Sequence, residues 1–439
     1  MLGLAGPVVA VQVGLMLMGV VDTMVVGRLS AEALASVALG NLTVLSVAAF
    51  GMGLLMAMDP LVAQAFGAHD TLGVRRSVQR GLILAAAVSI PSGLVLLPGE
   101  WVLPWLRQPA EIIPVAAGYA RIAIPALPAF FAFVVLRQTL QAMEKMRPIV
   151  VTIVVANLFN LVADWALVFG WGPIPSMGAL GSAWATTAGR WLLLISLAIV
   201  ARHEILPLLR PFDRESFKLG PLWKIVVLGA PIGLQIQLEF AAFGVVALLM
   251  GGFGAVEMAA HQVAINLASL TFMVPLGVGA AAAVRVGQAV GAGDEDGVRR
   301  AASAALVCGA GFMVLTGGLF IGMPGILAAA YTSVSEVLVL AVVFIPIAGF
   351  FQIFDGIQVV SGGILRGMGD TRVPVLVNVV GFWCLGIPTS LFLAFRAGLG
   401  PPGLWWGLVV GLGAVAAFLL IRIAWLLRRG FDRVVVDNS

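Results

Sequence analysis

The chain has 439 residues, of which 61% are hydrophobic and only 10% charged, and its mean hydropathy is +1.08. Soluble domains carry about 25% charged residues, so this chain has too little polar surface to face water, and its solvent must be lipid. The formal net charge of +4 invites a nucleic-acid reading, but the basic residues sit in short stretches between apolar runs and form no continuous patch, which excludes nucleic acid as a partner.

A spanning helix needs about 20 apolar residues. Twelve such stretches occur, at about 3–26, 34–58, 77–98, 112–136, 148–170, 179–201, 221–250, 257–284, 301–323, 335–361, 373–396 and 402–427. They are too long and continuous for barrel strands. Backbone amides in lipid must then be satisfied within each segment, which requires helices. The first stretch is too long for a cleavable signal peptide and lacks a basic start, so it is expected to stay in the mature protein. Cys308 and Cys384 lie inside apolar runs, without disulfide or metal-ligand spacing, and read as small buried hydrophobes.

In chain order, the spans carry a sparse set of polar groups. An ionisable residue in a span costs several kcal/mol or more and marks function by default. Span 1 holds Asp22 within MGVVDTMVVG, and Pro7 stands at its start. Asp59, beside Pro60, closes span 2 and is a weaker candidate. Arg121 in span 4 and Arg137 at its end, with Arg190 in span 6, read as snorkelling or ion-paired. Span 5, NLFNLVADWALVFG, places Asn160 and Asp164 four residues apart on one helical face, with Asn157 one turn earlier. A carboxylate with an amide suits cation coordination, because both supply oxygens. Span 7 sets Glu239 one turn after Gln235 and opens with Pro231. His261 heads span 8 and reads as a packing residue held by a hydrogen bond. Span 10 carries Gln352, Asp355 and Gln358 at intervals of three. Gln235, Gln262, Gln352 and Gln358 are read as supporting or cavity-lining groups around the acids.

Two features organise the spans. Lys and Arg concentrate in the loops after even-numbered spans, including Arg75, Arg76, Arg80, Arg366 and Arg372, whereas the opposite loops hold little beyond Arg28, Arg107 and Arg396. The positive-inside rule then puts both termini in the cytoplasm of an inner-membrane protein. Trp101, Trp105, Trp171, Trp405 and Trp425 fall near span ends, as an aromatic belt would. The second feature is a repeat. QAFGAHDTLGVRR at 64–76 matches QAVGAGDEDGVRR at 288–300 in nine of thirteen positions, among them Gln64/Gln288, Asp70/Asp294, Gly73/Gly297 and the paired arginines. The polar segment 204–220 divides the chain into six-span halves, 1–203 and 221–439. Because each half holds an even number of spans, both insert with the same orientation, and transporters on such a plan rock two halves about a substrate site between them.

Three separated stretches resemble a known family. VDTMVVGRLSAEALASVALGN at 21–41 looks like the first-helix signature of multidrug and toxic compound extrusion (MATE) transporters of the NorM-like branch. AAHQVAIN at 259–266 and LRGMGDTRVP at 365–374 look like its second-half signatures. The resemblance spans essentially the whole chain. It implies an all-α membrane protein whose two six-helix lobes form a V around a central cavity, and export of cationic, amphiphilic compounds in exchange for Na⁺ or H⁺. By position, Asp22, Asn160 and Asp164 resemble a cation or proton site in the N-terminal lobe, and Glu239 and Asp355 an acidic pair associated with Na⁺ in the C-terminal lobe.

The expected partners are small organic cations, Na⁺ or H⁺ and the bilayer, with the chain acting as a monomer. No cofactor is implied, no metal beyond Na⁺, and no nucleotide-binding loop or catalytic constellation appears, so the chain is not read as an enzyme. Two rivals are a flippase for lipid-linked oligosaccharides and a channel or scaffold. A flippase should line its spans with cations for pyrophosphate, whereas these spans carry mostly acids.

Overall fold

A computed structural model describes residues 2–106, 108–173 and 175–436; Arg107 lies outside the described residues. Among the described residues the fold is all-helical, with twelve helices long and apolar enough to cross a membrane. They are α1 (Gly3–Val26), α2 (Ala31–Gly67), α3 (Thr71–Leu96), α4 (Ile113–Ala142), α5 (Met146–Phe169) and α6 (Ala179–Val200), followed by α7 (Leu219–Gly251), α8 (Ala255–Gly291), α9 (Glu295–Gly322), α10 (Ser335–Gly367), α11 (Arg372–Arg396) and α12 (Pro401–Arg429). Large apolar side chains such as Leu248, Leu315 and Val307 are exposed, as lipid-facing positions should be.

Several helices outrun their apolar stretches, α2 and α8 most of all. The repeated motif explains where they stop. After α2, the Asp70 amide reaches back to Ala65 O at 2.9 Å while His69 adopts φ 56°; after α8, Asp294 reaches Ala289 O at 2.9 Å and Gly293 adopts φ 69°. Both are left-handed helix terminations with a six-to-one hydrogen bond. The same aspartates then cap the next helix: Asp70 accepts from the Gly73 amide and Asp294 from the Gly297 amide, each at 2.8 Å. A Cβ on either glycine would collide with the capping carboxylate, which accounts for the shared Asp-x-x-Gly spacing. Second copies of this termination follow α4, with Glu144 at φ 61°, and α10, with Gly369 at φ 81°. In the latter, Asp370 receives Arg422 Nε at 2.7 Å.

The longer helices change the reading of some cations. Arg80 is buried within α3 and Arg366 within α10, rather than lying in loops. Trp101, Trp105, Trp171 and Trp425 are exposed, but Trp405 is fully buried and leaves the aromatic belt. Its ring meets His261 at 5.3 Å and Phe351 at 5.6 Å between centroids, because α12 turns this face toward α10. His261 is a packing residue, though its Nδ1 has no hydrogen-bond partner.

Two compact units emerge: Ala10–Gly233 with residues 435–436, and Leu234–Val434 with the stretch up to Val9. The division falls within α1 and α7. In the first unit α4 packs on α2, α3 and α6, and α5 pairs with α6. In the second, α10 packs on α8, α9 and α12. Gly363 and Gly279 let the backbones of α8 and α10 approach so closely that a Cβ on either would strike the other helix.

The connector after α6 is folded rather than slack. A helix covers Arg202–Leu209 and a 3₁₀ turn Arg214–Phe217. Gln79 of α3 holds both pieces. Its Nε2 donates to Leu208 O at 3.1 Å and Pro211 O at 3.2 Å, and its Oε1 accepts from the Asp213 amide and Ser216 Oγ, both at 2.9 Å. The whole hydrogen-bonding capacity of a side-chain amide is thereby used. Arg76 pairs with Asp213 at 2.7 Å, and its guanidinium holds the Asp213 carboxyl below the usual carboxylate range. Losing several hydrogen bonds, each worth about 1 kcal/mol, should open this segment. Gln79→Ala is therefore expected to speed tryptic cleavage after Arg214 and Lys218 by about tenfold or more, read by limited proteolysis of the folded protein. An unchanged rate would show that the connector is held by other contacts.

Candidate functional site

Asp22 lies one turn before the end of α1 and is buried. Its Oδ1 accepts from Asn160 Nδ2 of α5 at 3.1 Å, and its Oδ2 accepts from Thr186 Oγ1 of α6 at 3.1 Å. One helical turn beyond Asn160, Asp164 is 0% exposed and neighbours Asp22, Ser182 and Asn160. Among the described residues, neither Asp164 oxygen receives a hydrogen bond, and Asn160 Oδ1, Ser182 Oγ and Tyr119 Oη are also without partners. Five buried polar atoms left open around two acids is a costly arrangement for a mere packing contact. Two carboxylates in a low-dielectric site cannot both stay charged unless a cation lies between them; otherwise they share a proton and one charge is lost. Carboxylate, amide and hydroxyl oxygens are the ligands that a hard cation takes.

Sequence reasoning finds Asp22, Asn160 and Asp164, and the structure brings them together. It misses Tyr119, Ser182 and Thr186. Tyr119 of α4 is buried beside Thr186, Asp22, Asp164 and Arg190. Ser182, Thr186 and Arg190 recur every four residues along α6, so one polar stripe of that helix faces the acids; that spacing is the signal that would have found them. Arg190 forms no ion pair among the described residues; its guanidinium lies over the Phe130 ring, 4.9 Å from the centroid, within electrostatic reach of Asp22. Asn157 serves packing instead, donating to Gly14 O at 3.0 Å and to Ile153 O at 2.9 Å and so tying α5 to α1. Nearby, Arg137 Nη1 donates to Gln12 Oε1 at 3.2 Å and feels the buried Asp59, while Arg121 pairs with Glu100 at 2.8 Å on the surface.

The second unit gathers its own set. Glu239 of α7 is half-buried, and its Oε2 accepts from Gln358 Nε2 of α10 at 3.3 Å. The same amide lies 3.5 Å from Asn378 Oδ1 of α11. Asp355, one turn before Gln358, is buried within electrostatic reach of Glu239, and Arg366 faces Glu239 as well. Gln352 Oε1 accepts from Thr271 Oγ1 of α8 at 2.7 Å, leaving its own Nε2 open. Gln235 is half-buried and Gln262 exposed, and neither bonds to the acids among the described residues. No three His, Cys, Asp or Glu side chains converge among the described residues. Each set is therefore mixed, with acids beside neutral oxygens.

The MatE family model matches residues 7–166 and 231–392, one segment in each half. A probable multidrug resistance protein NorM of Mesorhizobium japonicum is 37% identical, over 99% of this chain and 94% of its own length. The multidrug resistance protein MdtK of Edwardsiella ictaluri is 32% identical, over 98% of this chain and 95% of its own. Among solved structures, the eukaryotic MATE transporter AtDTX14 superposes with a TM-score of 0.87 at 26% identity, covering 97% of this chain and 96% of that one. The outward-facing form of a multidrug resistance MATE family transporter of the MOP superfamily shares the fold, with a TM-score of 0.84 at 18% identity over 97% and 96% of the two chains. With both halves matched and a relative above 30% identity along nearly its whole length, the chain belongs to the MatE family.

Proposed function

We propose that this protein is a secondary active multidrug exporter, moving cationic amphiphilic compounds out of the cell in exchange for Na⁺ or H⁺. The observation that carries the reading is the Asp22–Asp164 pair, with its open oxygens, on a chain related to multidrug resistance proteins. Coupling ion and cargo compete for this negative charge. When Na⁺ or H⁺ occupies the pair, the charge that attracts an organic cation is lost, so each ligand weakens the other by linkage, as antiport requires. The two six-span lobes, 1–203 and 221–439 joined by 204–220, supply the alternating access. Glu239, Asp355 and Gln358 form a second cation site in the C-terminal lobe, supported by Gln352 and Asn378. The protein works as a monomer in the inner membrane with both termini cytoplasmic.

Asp22→Asn keeps the shape and removes the charge. In proteoliposomes under an imposed Na⁺ or H⁺ gradient, it is expected to lower uphill ethidium transport by about tenfold or more, since coupling energies of this kind run to 5–150-fold. Glu239→Gln and Asp355→Asn should reduce it less. Full ion-driven transport by Asp22→Asn, with loss in either C-terminal variant, would move the coupling site to the other lobe.

Orientation is tested by single cysteines at exposed Met177 and Arg214, in a chain with Cys308 and Cys384 replaced. A membrane-impermeant maleimide added outside intact cells should label Met177→Cys and spare Arg214→Cys. The reverse pattern would invert the topology.

A further inference from the structure

The connector between α6 and α7 has two unlike sides. The inner side is tied to α3 through Gln79 and Arg76, and Arg80 Nη2 donates to Glu215 O at 3.3 Å. The outer side is apolar and cationic. Leu206, Phe212 and Phe217 are about half exposed or more, as is Trp223 near the start of α7, and the Phe212 and Phe217 rings rest together with centroids 5.3 Å apart. Among them stand Arg202, Arg210 and Arg214, none within ion-pair distance of a carboxylate among the described residues. Lys218, by contrast, is paired with Glu215 at 2.6 Å. Arg202 donates to His203 Nε2 at 3.3 Å. Because α6 ends at Val200 and α7 begins at Leu219, the chain itself holds this side at the end of two spans, where lipid headgroups lie.

An open cavity of about 480 Å³ on the connector is lined by Arg202, His203, Leu206, Pro207 and Arg210. We propose that this cavity binds the phosphate headgroup of an anionic phospholipid in the leaflet that the connector borders. Guanidinium forks match phosphate oxygens, and Arg202 and Arg210 present two of them to one space. Leu206 and Pro207 supply an apolar floor for the glycerol and upper acyl chain. No acid among the described residues lines the cavity, so a zwitterionic headgroup would set its ammonium against two arginines. Free phosphate would use the arginines and leave the flanking apolar surface of Leu206 and Phe212 without a role. With its inner side already fixed by Gln79, the connector presents these groups without a large ordering cost.

The test uses the full chain purified in an uncharged detergent at low salt, titrated with dioctanoylphosphatidylglycerol. A basic side chain at an anionic lipid surface is worth about fivefold in binding, so Arg202→Gln/Arg210→Gln should weaken this lipid by about twentyfold. The double variant should keep its melting temperature; should it not fold, Arg210→Gln alone is read instead, with about fivefold expected. Arg299→Gln, in the other unit, should leave binding unchanged. Dioctanoylphosphatidylcholine should bind much more weakly than the glycerol lipid, and millimolar inorganic phosphate should not displace it. Unchanged binding in the folded arginine variant overturns the proposal. So does equal loss in Arg299→Gln, or equal affinity for the choline lipid. Inorganic phosphate binding as tightly as the lipid would make this a free-anion site and overturn it too.

Discussion

A carboxylate taken out of water by a helix bundle in lipid has lost its hydration and must find a substitute. Asp22 finds two weak ones, the amide of Asn160 and the hydroxyl of Thr186. Asp164, next to it, finds none among the described residues. Placing a second acid there makes sense only if something positive visits. On the proposed reading, such a site is stable with a proton or a small cation present and attractive to an organic cation when both are gone, a dependence on occupancy that an antiporter would transmit to its helices. The other features of the N-terminal half serve to hold this pair. Asn157 ties α5 to α1, the polar stripe of α6 closes the opposite wall, and Tyr119 covers it from α4.

The two halves share a frame and differ in chemistry. The frame is the repeated turn, in which one aspartate ends a helix and starts the next, fixed by Asp70 with Gly73 and Asp294 with Gly297. The chemistry diverges because the acids do not occupy matching places. The N-terminal pair comes from α1 and α5, the C-terminal pair from α7 and α10. Each pair has one acid with an amide donor and an arginine in electrostatic reach, Asp22 with Asn160 and Arg190 and Glu239 with Gln358 and Arg366; what sets the N-terminal pair apart is Asp164, fully buried with neither oxygen hydrogen-bonded among the described residues. That difference is why the N-terminal pair is assigned the stronger coupling.

The twelve spans were legible because lipid demands long apolar runs, and Asp22 and Asp164 because an acid in such a run has no cheap explanation. Helix ends were less legible. The apolar signal fades near residue 58 and near 284, whereas α2 and α8 continue to Gly67 and Gly291, since hydrogen bonding and the aspartate turns, not hydropathy, decide where a helix stops. Trp405 read as a belt residue because position along the chain does not say which way a side chain points. Tyr119, Ser182 and Thr186 went unseen because neutral polar residues are common in spans and acquire meaning only once α1, α4, α5 and α6 come together. Gln79 gave no signal at all: its four partners lie more than 120 residues away.

We propose that ion and cargo compete for one negative site containing Asp22. Calorimetric titration of the purified protein with ethidium, repeated over a range of pH and of Na⁺ concentration, measures that competition directly, without transport. Ethidium affinity should fall as H⁺ or Na⁺ rises, by roughly 5- to 150-fold at saturation, and Asp22→Asn should flatten the dependence. Wild-type affinity indifferent to both ions would contradict the account.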